Sequence, residues 1–282
     1  MKIHRIETGK VRIKQNQISK SGGMAPQMLK VLFGKNWSEW LPIYAWVIEH
    51  TEGVIVVDTG ETHKTKNRGY LPLWHPYYAL AVEFNVKQED EIGPQLLEIG
   101  IDPANDVKKV IMTHMHTDHA GGLYHFPNSE IIIEKNEYKA ASGTAGILAG
   151  YLPHRWPRWL NPTLITVPNN PYFSFRQSLA VTSDKKVMIV GTPGHVANHI
   201  SVIVEIEGLN YFIAGDTSYT EENLLKLIPD GVGTNQSSST LQSILSFTES
   251  VPTIYLPSHD PQVPHRMENK EIVIRHKETI AL

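Results

Sequence analysis

The sequence predicts an α/β protein in which two β-sheets carry helices on their outer faces. Three observations point there. Short apolar runs bounded by turn residues recur in both halves of the chain, and helical stripes are interspersed among them. The 282 residues, 41% hydrophobic and 20% charged, contain no short-period repeat and no low-complexity linker. This length exceeds the usual domain, but a large α/β enzyme can fold as one unit, so residues 1–282 are expected to form a single domain.

The elements follow in order. Ile3, Ile6, Val11 and Ile13 suggest a hairpin-like start, closed by a loop at Ser21-Gly22-Gly23. No clean period emerges over residues 24–40. Ile43 to Glu49 and Val54 to Val57 read as strands joined by Thr51-Glu52-Gly53, the second ending in Asp58-Thr59-Gly60. Residues 61–88 are irregular and aromatic, whereas Ile92, Leu96 and Ile99 make a helical stripe that Gly100 should stop. Val110 to Met112 and Ile131 to Ile133 are strands, and residues 141–163 suggest a long loop or short helices. Four more strands follow at Leu164 to Val167, Val187 to Val190, Ser201 to Ile206 and Tyr211 to Ala214, with a hairpin turn at Glu207-Gly208-Leu209-Asn210. Helical patterns at 220–228 and 239–249 precede a last strand, Thr253 to Leu256.

Composition removes several classes. Twenty-six basic against 29 acidic residues leave a net charge of −3, which does not suit nucleic acid as the main partner. With no cysteine, thiolate nucleophiles and Cys-ligated metal are excluded. The first seven residues hold scattered charges and no apolar h-region, and no apolar run approaches the ~20 residues of a membrane span. A cytoplasmic protein without membrane insertion is expected.

One stretch concentrates the chemistry. Thr113-His114-Met115-His116-Thr117-Asp118-His119-Ala120-Gly121-Gly122 places three imidazoles and a carboxylate within six residues, directly after an apolar strand. These side chains bind borderline divalent metals, zinc first among them. His114 and His116, at i and i+2, point the same way on extended backbone. So short a run cannot close two coordination shells. Three later sites share its placement after a strand: Gly191-Thr192-Pro193-Gly194-His195, Gly215-Asp216-Thr217-Ser218-Tyr219 and Pro257-Ser258-His259-Asp260. Together they supply five His and two Asp, enough for two ions sharing one carboxylate. Taken singly, His195 and His259 could be surface or packing residues, and Asp216 could cap the helix at 220–228, a role Ser218 or Thr220 could also fill. His199 suits a residue that holds the other nitrogen of a ligand imidazole, and His125 is ambiguous. His4, His50, His63, His75, His154, His265 and His276 read as surface or packing residues.

In this order and after strands, His114-x-His116-x-Asp118-His119, Gly194-His195, Asp216 and His259 resemble the metallo-β-lactamase superfamily. The resemblance runs from Val57-Asp58-Thr59-Gly60 to Ser258-His259 and implies an αβ/βα sandwich of two mixed sheets with a dinuclear site at one edge. It further implies that His114, His116 and His195 hold one divalent ion, that Asp118, His119 and His259 hold the other, that Asp216 bridges them, and that Asp58 orients the histidine-rich loop. Zinc is the first choice, although iron, cobalt or manganese suit the same ligands. Within the superfamily, His116-Thr117-Asp118-His119-Ala120-Gly121-Gly122 and Asp216-Thr217-Ser218-Tyr219 look most like N-acyl-homoserine lactone lactonases. Val196-Ala197-Asn198-His199 departs from the commoner Thr-Pro-Gly-His continuation while keeping its last residue.

The implied activity is quorum-quenching lactone hydrolysis by a hydroxide shared between the ions, with the pKa of water lowered toward ~7. Tyr219 would bind the lactone carbonyl and Asp118 could return a proton. The expected partner is a small acylated lactone, and a homodimer is allowed. Candidate walls for an apolar acyl pocket are Met24, Met28, Phe33, Trp37, the aromatics between Tyr70 and Phe84, and Trp156-Pro157-Arg158-Trp159. The alternative is a hydrolase of another lactone, ester, thioester or phosphotriester on the same scaffold. A nuclease of the same superfamily would need a basic groove, which is not evident.

Overall fold

A computed structural model describes residues 1–20 and 24–274, the side chains of 24–26 excepted. The loop expected at Ser21-Gly22-Gly23, the side chain of Met24 and His276 therefore lie outside the described residues. Among the described residues, twelve strands form two sheets. The first contains β1 (Lys2–Ile13), β2 (Leu41–His50), β3 (Gly53–Val57), β4 (Val82–Asn85), β5 (Val107–Ile111), β6 (Glu130–Glu134) and β7 (Thr163–Ile165), in the order β4-β1-β2-β3-β5-β6-β7. The second contains β8 (Ser178–Ala180), β9 (Val187–Gly191), β10 (Ile200–Ile206), β11 (Leu209–Gly215) and β12 (Thr253–Pro257), in the order β12-β11-β10-β9-β8. Both sheets are mixed: β3, β5, β6 and β7 pair in parallel, as do β11 and β12, while the remaining ladders are antiparallel.

The helices are α1 (Gln15–Ile18), α2 (Met24–Phe33), α3 (Pro76–Leu80), α4 (Ile92–Glu98), α5 (Thr117–Ala120), α6 (Lys135–Ala141), α7 (Gly143–Leu148), α8 (Glu221–Leu225), α9 (Ser237–Ser250) and α10 (Val263–Asn269). Alternation along the strands decides the layering. Tyr44, Trp46 and Ile48 of β2 pack with Val202, Val204, Ile213 and Leu256 between the sheets. Ala45 and Val47, on the other face, pack against Ile92 and Leu96 of α4. On the far side, Met188, Ile203 and Phe212 meet Leu241, Ile244 and Phe247 of α9. The expected sandwich with helices outside is present. Among the described residues, no helix is long and apolar enough to cross a membrane.

Several local expectations change. The N-terminal stretch is one long strand, because Gly9 at φ 98° bulges the chain between Glu7 and Lys10 where a reversal was expected. The turn at Glu207-Gly208 is the expected hairpin; both residues have positive φ (54° and 80°), which matches the twist of the strands it joins. Thr220, not Asp216 or Ser218, caps α8, its hydroxyl accepting from the Asn223 amide at 3.1 Å. The aperiodic segment after residue 24 contains α2, residues 61–88 contain α3 and β4, and β8 and α10 were not foreseen.

Candidate metal centre

Five strand ends deliver the polar groups to one edge of the sandwich. β3 ends before Asp58, β5 feeds residues 112–119, β9 feeds 192–199, β11 ends before Asp216, and β12 ends before Ser258 and His259. The sheets are tied there by main-chain hydrogen bonds, Ile200 N–H to Thr113 O at 3.1 Å and Tyr44 N–H to Ser258 O at 3.0 Å. Ligand atoms of His114, His116 and His195 lie within 4.8 Å of one another, and so do those of Asp118, His119 and His259. Asp216 stands between the two groups. Its Oδ1 is 3.1 Å from His119 Nε2 and 3.4 Å from His259 Nε2, and its Oδ2 is 3.5 Å from His195 Nε2. All seven side chains expected from the sequence thus converge.

The outward nitrogens determine what the inward ones can do. His119 Nδ1 donates to Asp58 Oδ2 at 2.8 Å, His195 Nδ1 to Asp230 Oδ2 at 2.5 Å, and His259 Nδ1 to Pro42 O at 2.8 Å. His114 Nδ1 lies 3.2 Å from Thr113 Oγ1, whose own proton goes to Asp58, so this nitrogen also donates. With Nδ1 held as a donor, the neutral form of each ring turns its Nε2 lone pair inward, and a metal ion entering there would replace any proton on it. His116 instead presents Nδ1, 2.9 Å from His114 Nε2 and 3.0 Å from His195 Nε2. Among the described residues, His119 Nε2 and Asp216 Oδ1, both buried, face each other at 3.1 Å and meet no other polar partner within a well-formed hydrogen bond. Converging lone pairs repel unless a cation sits among them. The donor set, all N and O, fits borderline divalent metal.

Electrostatics sorts the imidazoles. Burial, reinforced by neighbouring imidazoles, holds His114 and His116 well below the usual histidine range. For His119, burial opposes the charge, but Asp216 and Asp58 outweigh it and raise the pKa well above normal. Burial opposes the charge of His195 too, yet Asp230 and Asp216 lift it to about 9. Asp216, in turn, resists burial and stays ionised through His259 and His119. His199 is kept neutral by burial, with its pKa lowered to about 3. It does not hold a ligand imidazole as expected: its Nε2 accepts the main-chain N–H of Asp216 at 3.2 Å, and its Nδ1 meets Thr192 Oγ1 at 2.9 Å.

Residues 38–259 match the model of the metallo-beta-lactamase superfamily. The chain belongs to that superfamily. Among similar proteins, an N-acyl homoserine lactonase from a Bacillus species is 30% identical over 194 residues, 67% of this chain and 69% of that one. The N-acyl homoserine lactonase AttM of Azorhizobium caulinodans is 25% identical over 273 residues, covering 93% and 94%. Among solved structures, an N-acyl homoserine lactone hydrolase with N-hexanoyl-L-homoserine at its catalytic metal centre superposes with TM-score 0.70 at 22% identity, covering 97% of each chain. AidC, a dizinc quorum-quenching lactonase, does so with TM-score 0.61 at 17% identity, covering 92% and 87%. These two structures share the metallo-beta-lactamase fold.

A cavity of about 660 Å³ opens onto the candidate metal centre. His116, Asp118, His195, Asp216 and His259 form its floor, beside Tyr219. Of the walls expected from the sequence, Met28, Tyr77, Tyr78 and Phe84 line it. Phe33 does not: it is 68% exposed. Trp37 lies under the Lys14 ammonium, and Trp156 stacks on Tyr138. Leu32, Leu148, Tyr151 and Val196 were missed as walls, and His75, read as a surface or packing residue, lines the cavity too. His63 and His125 are bound with Tyr124 and Thr62 around the buried Glu91 carboxylate, a packing cluster apart from the ligands. Two buried acids also escaped the sequence. Asp230 holds His195, and Glu137 accepts the Met115 N–H at 3.1 Å, steadying the histidine loop. The only trace of Asp230 in the sequence is a turn, Pro229-Asp230-Gly231.

Proposed function

We propose that the protein is a metal-dependent N-acyl-homoserine lactone hydrolase holding two divalent ions, zinc before others. One observation supports it above all: an apolar-walled cavity ends on both ligand triads and on a buried tyrosine hydroxyl. An uncharged ring with an acyl tail suits such a shape. His114, His116 and His195 would hold one ion, Asp118, His119 and His259 the other, with Asp216 between. When bound, such metal supplies Lewis-acid polarisation and acidifies water to a pKa near ~7.

The chain's own groups do the rest. Tyr219 is buried, and burial raises its pKa well above the ordinary tyrosine value, so its proton is retained throughout the working range. Its oxygen accepts from Gln17 Nε2 at 2.8 Å, leaving the phenolic proton free for a lactone carbonyl. Stacking on the His259 ring, centroids 5.7 Å apart, holds it in place. The Asp118 side chain is partly open to solvent at 17% and faces the cavity, where it can return a proton to the departing ring oxygen.

The test is a panel of lactones given to the metal-loaded protein, with ring opening followed by acid release. N-acyl-homoserine lactones should be opened in preference to phosphotriesters and thioesters. Turnover of either of those classes without lactone opening would sink the proposal. Tyr219→Phe should lower kcat by ~10²–10³-fold, the cost of one lost oxyanion donor, at unchanged metal content. An unchanged kcat/KM would remove Tyr219 from the mechanism.

A further inference from the structure

The chain carries a net charge of −3, yet its charges are segregated. Residues 14–38, 62–82 and 138–163 together hold ten of the 26 Lys and Arg and none of the 29 Asp and Glu. These three runs supply the cavity with Met28 and Leu32 of α2, Pro76 and Tyr77 of α3, and Leu148 and Ala149 at the end of α7. They touch one another: α2 packs on α3, His75 Nε2 donates to Leu148 O at 3.2 Å, and Arg155 Nε donates to Tyr70 O at 3.0 Å. Of the ten cations only Lys14 is buried, and Lys30, Lys35, Lys66, Arg68, Arg155 and Arg158 are exposed. Among the acids that flank the runs, Glu61 and Glu137 are buried and Glu83 pairs with Arg12 at 2.7 Å, which leaves Glu39 as the exposed exception. Apolar side chains share this rim. Met28 and Leu148 line the cavity yet are 40% and 70% exposed, which puts them at its mouth. Leu29 and Phe33 extend the exposed face of α2, and Leu73 and Trp74, 67% and 63% exposed, precede α3. Trp74 stands edge-on to His75, itself a lining residue, with centroids 5.8 Å apart. Exposed apolar residues scattered singly need no explanation, but a group gathered at one opening does.

We propose that this rim docks on an anionic lipid surface, so that the mouth of the cavity opens onto the bilayer. Exposed Trp, Phe and Leu set among Lys and Arg make an interfacial contact: the apolar side chains enter the acyl boundary while the cations meet headgroup phosphates. A second copy of the chain is a poor occupant, because two such rims brought face to face set like charges against each other. A nucleic acid would satisfy the cations but leave Leu73, Trp74 and Leu148 in water. The attachment is peripheral, with the protein lying on the bilayer rather than crossing it. Docking stands independently of the lactonase reading, and only its use rests on that reading. Long acyl tails dissolve in bilayers, and a mouth held against the membrane takes the tail without its passage through water.

The experiment sediments the metal-loaded full chain with vesicles of phosphatidylcholine alone and of phosphatidylcholine containing about one-third phosphatidylglycerol. The anionic vesicles should bind it at least about 10-fold more tightly, and raised salt should weaken that binding. Two double variants, both remote from the candidate ligands, separate the contributions. Lys66→Gln with Arg68→Gln should weaken binding by about 10–30-fold. Leu73→Ser with Trp74→Ser, which leaves the charge unchanged, should weaken it by about 10-fold or more. Both should keep the wild-type Tm. Absence of binding to the anionic vesicles overturns the proposal. Wild-type binding by either double variant does so too; a loss confined to the charge variant would assign the rim to a nucleic acid or an acidic protein. A dimer that dissociates in the Leu73/Trp74 variant, without vesicle binding by the wild type, would give the face to a second copy and likewise overturn it. None of these measurements uses turnover, so their failure is distinct from a failure of the lactonase reading.

Discussion

Asp216→Ala is expected to abolish measurable lactone opening, a loss of at least about 10³-fold, and chelation of the wild type should reproduce it. Among the described residues, Asp216 is the one carboxylate whose two oxygens face both candidate ligand groups, Oδ1 toward His119 and His259, Oδ2 toward His195. It is buried, and its main-chain N–H is held by His199. Alanine therefore removes the shared charge without an obvious route for another side chain to replace it. Without that charge, His119, His195 and His259 lose one of the influences that raise their pKa values. Metal content per chain and kcat/KM, measured together, check the prediction. A variant that keeps full metal and activity would refute the bridging role.

The same charges set a pH dependence with a definite sign. In the metal-free protein, His195 titrates near 9, so below that pH it carries a proton that an incoming cation must expel. Metal affinity should therefore rise with pH up to about 9, and uptake should release protons. For folding, a raised histidine pKa stabilises fully below the unfolded value of ~6.5 and is lost as pH rises toward 9. Metal-free protein should accordingly lose this contribution over that window.

The candidate metal centre was legible because its chemistry is local. His114, His116, Asp118 and His119 lie within six residues, and the other candidate ligands each follow an apolar strand in a small or turn-forming context. Apolar runs bounded by turn residues made most strands of the two sheets readable, while β4, β8 and the unbroken course of β1 were not. What remained hidden is what meets only through space. Asp230 lies 35 residues from the His195 it holds, and Gln17 lies 202 residues from Tyr219. Nothing in a one-turn helix marks its glutamine as part of a site. The cavity walls were misjudged for a related reason. Aromatic content does not say which way a ring faces: Phe33 is exposed, Trp37 lies beneath a cation, and Leu32 and Val196, unremarkable in sequence, line the wall.

Asp58 separates stability from metal chemistry, and its two variants should behave differently. The residue is buried at φ 57°, a backbone region that asparagine and aspartate tolerate and alanine does not favour. Oδ1 accepts the Thr113 N–H at 2.8 Å, and Oδ2 accepts both the Thr113 hydroxyl and His119 Nδ1–H, each at 2.8 Å. Asp58→Ala strands three buried donors and should cost about 3–5 kcal/mol, lowering Tm by ~10 °C or more. Asp58→Asn keeps the shape and the backbone preference, so its stability loss should be smaller. Its chemistry is nevertheless wrong in either orientation. With NH₂ at the Oδ1 position it meets the Thr113 N–H, donor against donor, and the histidine loop must shift. With NH₂ at the Oδ2 position it meets His119 Nδ1, which must become an acceptor and move its proton to Nε2. A protonated Nε2 points a hydrogen, not a lone pair, at the ligand position. Metal affinity in the asparagine variant should fall by about 10–100-fold while much of the thermal stability is kept. Calorimetric unfolding beside a metal titration tells the two losses apart. Wild-type metal affinity in Asp58→Asn would mean that the His119 tautomer is held by something other than this carboxylate.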